Sequence, residues 1–174
     1  MGAQENHIIL NQSKAVFEFL SQKPAKIAYF MDNVGKELLF DLAFIDYLNA
    51  TQLAKSVRCY LKNQPFLVSD VMPKDLYRSI DFLAASSDIK VQELAQRLTA
   101  YNNNQTITIE APPFFTTGRM YREMPQALRN TVTEHDLVIL KGDVNYRRLF
   151  GDRHWKPTTP VETAAGYFPT SFLS

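Results

Sequence analysis

The sequence predicts an α/β fold: a three-layer α-β-α sandwich, Rossmann-like, with a largely parallel sheet. Three observations predict it. Short apolar runs alternate with helical patterns along most of the chain. The runs at 27–31 and 137–140 are apolar throughout, as strands covered on both faces are. Three runs also lead into oxygen-bearing side chains: Asp32-Asn33, Ser69-Asp70, and Asp143 after Lys141-Gly142. In open α/β sheets, ligands sit outside the carboxyl ends of the strands.

Bulk composition narrows the function classes. The 174 residues, 45% of them hydrophobic, suffice for one α/β domain over 1–174 with a real core. Nineteen basic residues against 18 acidic ones leave a formal charge of +1, so no global field draws the chain to nucleic acid or an anionic membrane. A single cysteine, Cys59, rules out an internal disulfide and fits a reducing, cytoplasmic setting, with Cys59 as a small buried hydrophobe. Residues 1–10 lack the pattern of a signal peptide, and no apolar run reaches the ~18 residues of a membrane span.

Each element follows from local pattern. A helical stripe through Ala15, Val16, Phe19 and Leu20 starts near Asn11 or Ser13 and ends before Pro24. The strand 27–31 comes next. Val34, Leu38, Leu42, Ile45 and Leu48 then recur at helical spacing up to Asn49. Alternation marks a strand at 56–61, and 66–68 reads as a short apolar strand. Pro73 suits the first turn of a helix carrying Tyr77, Ile80 and Leu83. A helix over 88–101, a turn at 102–104 and a strand at 106–109 follow. Phe114 and Phe115 predict that the loop 111–118 is tucked against the fold. A helix at 124–133, a buried strand at 137–140 and one or two helical turns at 145–150 complete the pattern, which weakens after Gly151.

The strand ends offer Asp32, Asn33, Asp70, Asp143 and Asn145. These are hard oxygen donors, suited to magnesium, manganese or a related divalent ion rather than structural zinc. His7, His135 and His154 are scattered and have no ligand partner at a recognisable spacing. The bland alternative is that Asp32 and Asn33 cap the following helix. Asp70 lies too early to cap, because Pro73 makes Met72 the cap. Asp143 could equally be a turn residue beside Gly142, with Asn145 capping the next helix. The stretch Lys141-Gly142-Asp143-Val144-Asn145-Tyr146-Arg147 suits an anion: glycine allows close backbone approach, and a helix start with Lys141 and Arg147 supplies donors and charge. Its rival is a solvated basic turn. A nucleic-acid footprint built from Arg147, Arg148, Arg153, His154, Trp155 and Lys156 conflicts with the balanced charge.

These motifs together resemble the metal-dependent damage-control phosphatases, also described as protein-glutamate O-methyltransferase-like. The matching elements are Asp32-Asn33-Val34-Gly35-Lys36-Glu37-Leu38, Val68-Ser69-Asp70-Val71, Lys141 through Arg147, and Gly151-Asp152-Arg153 with Trp155. The resemblance implies a catalytic divalent metal (manganese, cobalt, nickel or magnesium) on Asp32, Asn33 and Asp70. It implies that a small phosphorylated metabolite, such as a sugar phosphate, is held by Asp32, Asn33 and the stretch Lys141, Gly142, Asp143, Val144, Asn145, Tyr146 and Arg147. Family members also carry an N-terminal helical region and a C-terminal Arg-Thr-x-Lys element that this chain does not match. The resemblance therefore implies a core whose substrate side is incomplete. A complementing chain, or self-association through an exposed C-terminal region holding Trp155, Tyr167, Phe168 and Phe172, is then expected. The alternatives are a glutamate carboxyl methyltransferase using S-adenosylmethionine, which lacks a glycine-rich loop after the first strand here, and an inactive metal- or phosphometabolite-binding remnant.

Overall fold

The computed structural model describes residues 12–173. It is an α/β sandwich: a five-stranded, all-parallel sheet with helices on both faces. The elements are α1 (Ser13–Gln22), β1 (Ala25–Phe30), α2 (Lys36–Ala50), β2 (Ala54–Tyr60), α3 (Pro73–Ala84), α4 (Ile89–Asn103) and β3 (Ile107–Glu110). Two 3₁₀ turns, Pro113–Thr116 and Tyr121–Glu123, lead to α5 (Gln126–Thr133), β4 (Leu137–Leu140), α6 (Gly142–Phe150), α7 (Val161–Ala165) and β5 (Phe172–Leu173). The part of the first helical stripe before residue 12 lies outside the described residues.

The strand order is β3-β2-β1-β4-β5. Side chains on a strand alternate between faces, and here both faces are apolar. Ile27, Tyr29 and Met31 enter one core with Val57, Cys59, Leu137 and Ile139, under α1 to α4. Ala28 and Phe30 enter a second core with Tyr60, Val138 and Leu140. That second core is aromatic: Phe115 stands edge-on to Phe30 with centroids 4.9 Å apart, and Tyr121 and Phe168 close around the same ring. Burial pushes the Cys59 thiol up to about 12, as befits an inert buried hydrophobe.

The Phe114-Phe115 loop is tucked in, as expected, and a buried cation holds it there. Arg148 of α6 donates from Nε to the Arg119 carbonyl (2.8 Å), from Nη1 to that of Phe115 (3.3 Å) and from Nη2 to that of Phe114 (3.1 Å). Its guanidinium also lies over the Phe114 and Tyr121 rings, 4.6 and 4.8 Å from their centroids. Arg148 is therefore no part of a solvent-facing basic surface.

The C-terminal stretch departs from expectation. It forms α7, and β5 pairs in parallel with β4. Phe168 is buried in the aromatic core, and the Tyr167 hydroxyl donates to the Leu149 carbonyl (2.6 Å). Neither is the exposed group that the weak pattern suggested, because aromatic packing needs no helical or strand period. Trp155 stays partly exposed. Among the described residues no helix is long and apolar enough to cross a membrane.

Replacing Arg148 by Met should destabilise the fold by roughly 2–4 kcal/mol, since three carbonyls lose a charged donor at once. Urea denaturation checks this. A loss below ~1 kcal/mol would show that the loop is held by its phenylalanines alone.

Candidate functional site

From β1 the chain runs outward through β2 to β3, then returns to the opposite side of β1 to lay down β4. The reversal opens a crevice between the carboxyl ends of β1 and β4, where ligands of such sheets sit. Asp32-Asn33 follow β1, and Lys141-Gly142 follow β4, whose last turn is tied to β1 by Lys141 N–H donating to the Phe30 carbonyl (3.0 Å).

Asp70 arrives by a route that the apolar run concealed. Residues 66–68 are not a strand, and Asp70 does not end one. The chain leaves β2, turns, and comes back as a short antiparallel finger beside the continuation of β1. Val34 N–H donates to the Ser69 carbonyl (2.8 Å) and Val71 N–H to the Asp32 carbonyl (2.9 Å), so Asn33 and Asp70 are bridge partners. Lys62 N–H donates to the Val71 carbonyl on the finger's other side (3.0 Å). The finger so occupies the ladder positions beside residues 32–34. The N–H groups of Phe66 (3.1 Å) and Leu67 donate to Asp70 Oδ2 instead, wrapping the apolar triplet around a carboxylate and leaving Val68 exposed.

Asp32 and Asn33 are not helix caps. Gly35, at φ +79°, occupies the cap position of α2 without a side-chain bond. Asn33 Nδ2 donates to Asp32 Oδ2 (3.1 Å) and Glu37 Oε2 (3.1 Å), and its Oδ1 accepts from Ser69 Oγ (2.7 Å). Asp32 is 3% exposed and Asp70 6%. Burial pushes the Asp32 carboxyl up, opposed by the ammonium of Lys62. Lys62, which the sequence reading passed over, is 1% exposed and lies between the two acids: Nζ is 3.4 Å from Asp32 Oδ1 and 3.6 Å from Asp70 Oδ1.

Gly142 is the wall of the crevice on the β4 side. Its φ is +83°, and a Cβ there would lie 1.9 Å from Asp32 Oδ2. Glycine is required on both counts. Helix α6 begins at this residue, earlier than the pattern at 145–150 suggested.

The rest of the anion stretch divides. Val144 and Arg147 line a cleft of about 230 Å³ together with Phe66, Leu67 and Met120. Arg147 is held by Asp152 through two 2.8 Å bonds. Lys141 reaches Asp41 Oδ1 (3.4 Å) and Glu37 Oε1 (3.6 Å) on α2. Asp143 is exposed beside Arg147, and the Tyr146 ring lies tilted against Phe150 with centroids 4.6 Å apart. Asn145 is fully buried. It donates to the carbonyls of Phe30 (3.1 Å) and Lys141 (2.7 Å) and accepts from the Tyr121 hydroxyl. It neither caps α6 nor points a donor into the crevice; it ties the ends of β1 and β4 together.

Among the described residues no three His, Cys, Asp or Glu side chains converge; the donor set is two carboxylates and an amide. As it stands, the Asn33 amide turns its NH₂ to Asp32 Oδ2 and Glu37 Oε2; only with a cation between them would turning it over, NH₂ toward the Ser69 hydroxyl, offset the loss of those two bonds. Among the described residues the cations paired with Asp32, Glu37, Asp41 and Asp70 are Lys62 and Lys141, so the formal count leaves two negative charges in excess, which one divalent ion would balance. Asp41 Oδ2, beside Lys141, is buried without a hydrogen-bond partner in the described structure, so this side of the crevice holds unspent acceptor capacity. The donor chemistry, two carboxylates and an amide, suits a hard divalent cation. Glu37 belongs to the Asp32–Leu38 element singled out in the sequence, whereas Asp41, one helical turn further on, was not singled out there.

Comparison with known proteins bears on this site. Residues 2–173 match the family model described as the damage-control phosphatase ARMT1-like domain. Relatives described as damage-control phosphatase ARMT1 include those of Rattus norvegicus (30% identical over 178 residues, 96% of this chain and 40% of the relative) and Danio rerio (31% over 156 residues, 87% and 35%). The Homo sapiens protein is 28% identical over 172 residues, 92% and 39%. The chain thus spans about 40% of the length of the curated relatives it matches.

Gly142→Ala should displace the Asp32 carboxylate and strain the start of α6. The expected result is a folded protein that has lost most divalent-ion affinity, read by calorimetry with manganese. Affinity equal to the parent's would mean that Asp32 is not a ligand.

Proposed function

The chain belongs to the damage-control phosphatase ARMT1-like domain family, and from that premise we propose that it is a metal-dependent phosphomonoesterase. Its substrates are small phosphorylated metabolites, sugar phosphates among them. Asp32, Asn33 and Asp70 hold the divalent ion, be it manganese, cobalt, nickel or magnesium. The observation that carries the reading is the meeting of two buried carboxylates and a helix N-terminus at the switch point between β1 and β4. When bound, the ion would supply Lewis acidity to a phosphoryl oxygen and to an attacking water.

The chain's own groups do the rest. Asp32 and Asp70 offer carboxylate oxygens on a backbone clasp that keeps them from drifting apart. The first N–H groups of α6 and the guanidinium of Arg147 hold the phosphoryl oxygens. The cleft beside Arg147, at about 230 Å³, is smaller than the roughly 300–1,000 Å³ of drug-sized sites, which favours a compact substrate. Phe66 and Leu67 give one side of it an apolar lining. The buried thiol of Cys59 supports a reducing, cytoplasmic setting. The outer edge of β5, with the partly exposed Trp155 beyond α6, is the surface through which a complementing segment or a second copy would add to the sheet.

Asp32→Asn and Asp70→Asn should each abolish manganese-dependent release of phosphate from a sugar phosphate, and calorimetry should show manganese binding lost. Binding as tight as the parent's in both variants would place the ion elsewhere. Arg147→Ala should weaken inhibition by inorganic phosphate by ~1.5–3 kcal/mol, the worth of hydrogen bonds to a charged group, and leave manganese affinity nearly unchanged.

The raised Asp32 carboxyl sets a pH dependence. Protons compete for this ligand at higher pH than for an ordinary carboxylate, so manganese affinity should fall on acidification beginning above the usual carboxylate range. A titration of affinity against pH that stays flat until that range is reached would count against Asp32.

A further inference from the structure

Lys62 is the one buried ammonium between the two candidate ligands, and its geometry is peculiar. Its shortest hydrogen bond goes to a neutral group: Nζ donates to the Met31 carbonyl at 3.1 Å, and more distantly to Asp32 Oδ1. The two carboxylate oxygens it faces, Asp32 Oδ1 and Asp70 Oδ1, stand off at 3.4 and 3.6 Å. Charge-assisted hydrogen bonds run ~2.7–2.9 Å, so neither oxygen is saturated by the lysine. Each carboxylate's other oxygen is engaged by amides: Asp32 Oδ2 by Asn33, Asp70 Oδ2 by Phe66 and Leu67. The Oδ1 pair is thereby left converging on a cation that is anchored elsewhere.

We propose that Lys62 is a positioning residue: a built-in counter-ion that holds Asp32 and Asp70 in place in the absence of metal, limits metal affinity by like-charge repulsion, and adds positive charge on the phosphate side. This rests on the reading of Asp32 and Asp70 as ligands. Without Lys62, two buried carboxylates would face each other with no compensation, which native structures avoid. With Lys62 and a divalent ion both present, Asp32 and Asp70 are locally outweighed, so the immediate surroundings of the ion attract a phosphate oxygen although the wider crevice, with Glu37, Asp41 and Lys141, is balanced. A residue that served only to support the fold would not couple the two affinities in opposite directions.

The test compares the parent with Lys62→Met, which keeps the unbranched stem and removes the charge. Manganese binding is read by calorimetry and inorganic phosphate binding by titration of the manganese-loaded protein. Lys62→Met should bind manganese at least about 10-fold more tightly, as expected from removing a unit charge a few ångströms from the ion. It should bind phosphate at least about 10-fold more weakly. Its melting temperature should be lower than the parent's without metal and should rise more on adding manganese. If Lys62→Met does not fold, Lys62→Gln, which can still donate to the Met31 carbonyl, gives the same comparison. Manganese affinity equal to or below the parent's in the folded variant overturns the proposal and leaves Asp32 and Asp70 standing as ligands. A parent that binds no manganese overturns the functional reading itself, and this proposal with it.

Discussion

The short antiparallel clasp between residues 32–34 and 69–71 is the constraint on which the site depends. A parallel sheet by itself delivers strand ends in a row, about a strand's width apart. The clasp does something different: it inserts a returning loop among those ends and places Asp70 beside Asn33 by backbone hydrogen bonds. The acids are then positioned by main-chain geometry rather than by side-chain choice. That is why a carboxylate can be kept at 6% exposure without drifting to solvent.

Two buried cations serve the molecule in opposite ways. Arg148 donates to neutral carbonyls and lies over aromatic faces, and its role is to weld a loop to the second core. Lys62 meets carboxylates at a distance that leaves them usable. The planar five-donor guanidinium suits the first task and the compact ammonium suits the second. Exchanging their chemistry would satisfy neither environment.

The α/β class, the parallel sheet and nearly every helix were legible because they depend on apolar period, which single residues report directly. The apolar runs before Asp32 and Lys141 are strands as read. The run before Asp70 misled, since three apolar residues in a row say nothing about whether a neighbouring strand exists to pair with them. Only the amide bonds to Asp70 Oδ2 reveal the turn. Asn145 looked like a site residue and is a structural tie, because type and position cannot show that its donors point inward. Lys62 was invisible for the converse reason: a lysine just after a strand reads as a surface group until the fold closes over it. The tail beyond Gly151 hid its order in aromatic packing, which has no period to detect.

The two halves of the crevice also differ in chain separation. Lys62 and Asp32 are 30 residues apart, whereas the contacts joining β1 to β4, such as Lys26 N–H to Asp136, span 110. Closing the longer loop costs more chain entropy and makes such pairings slow to form. On loop entropy alone, the acidic half is the easier to assemble, within the β1–β2 unit, and the Gly142 wall with the N-terminus of α6 the harder. A chain in which only the shorter loop has closed would hold the carboxylates of Asp32 and Asp70 without the wall that completes the crevice.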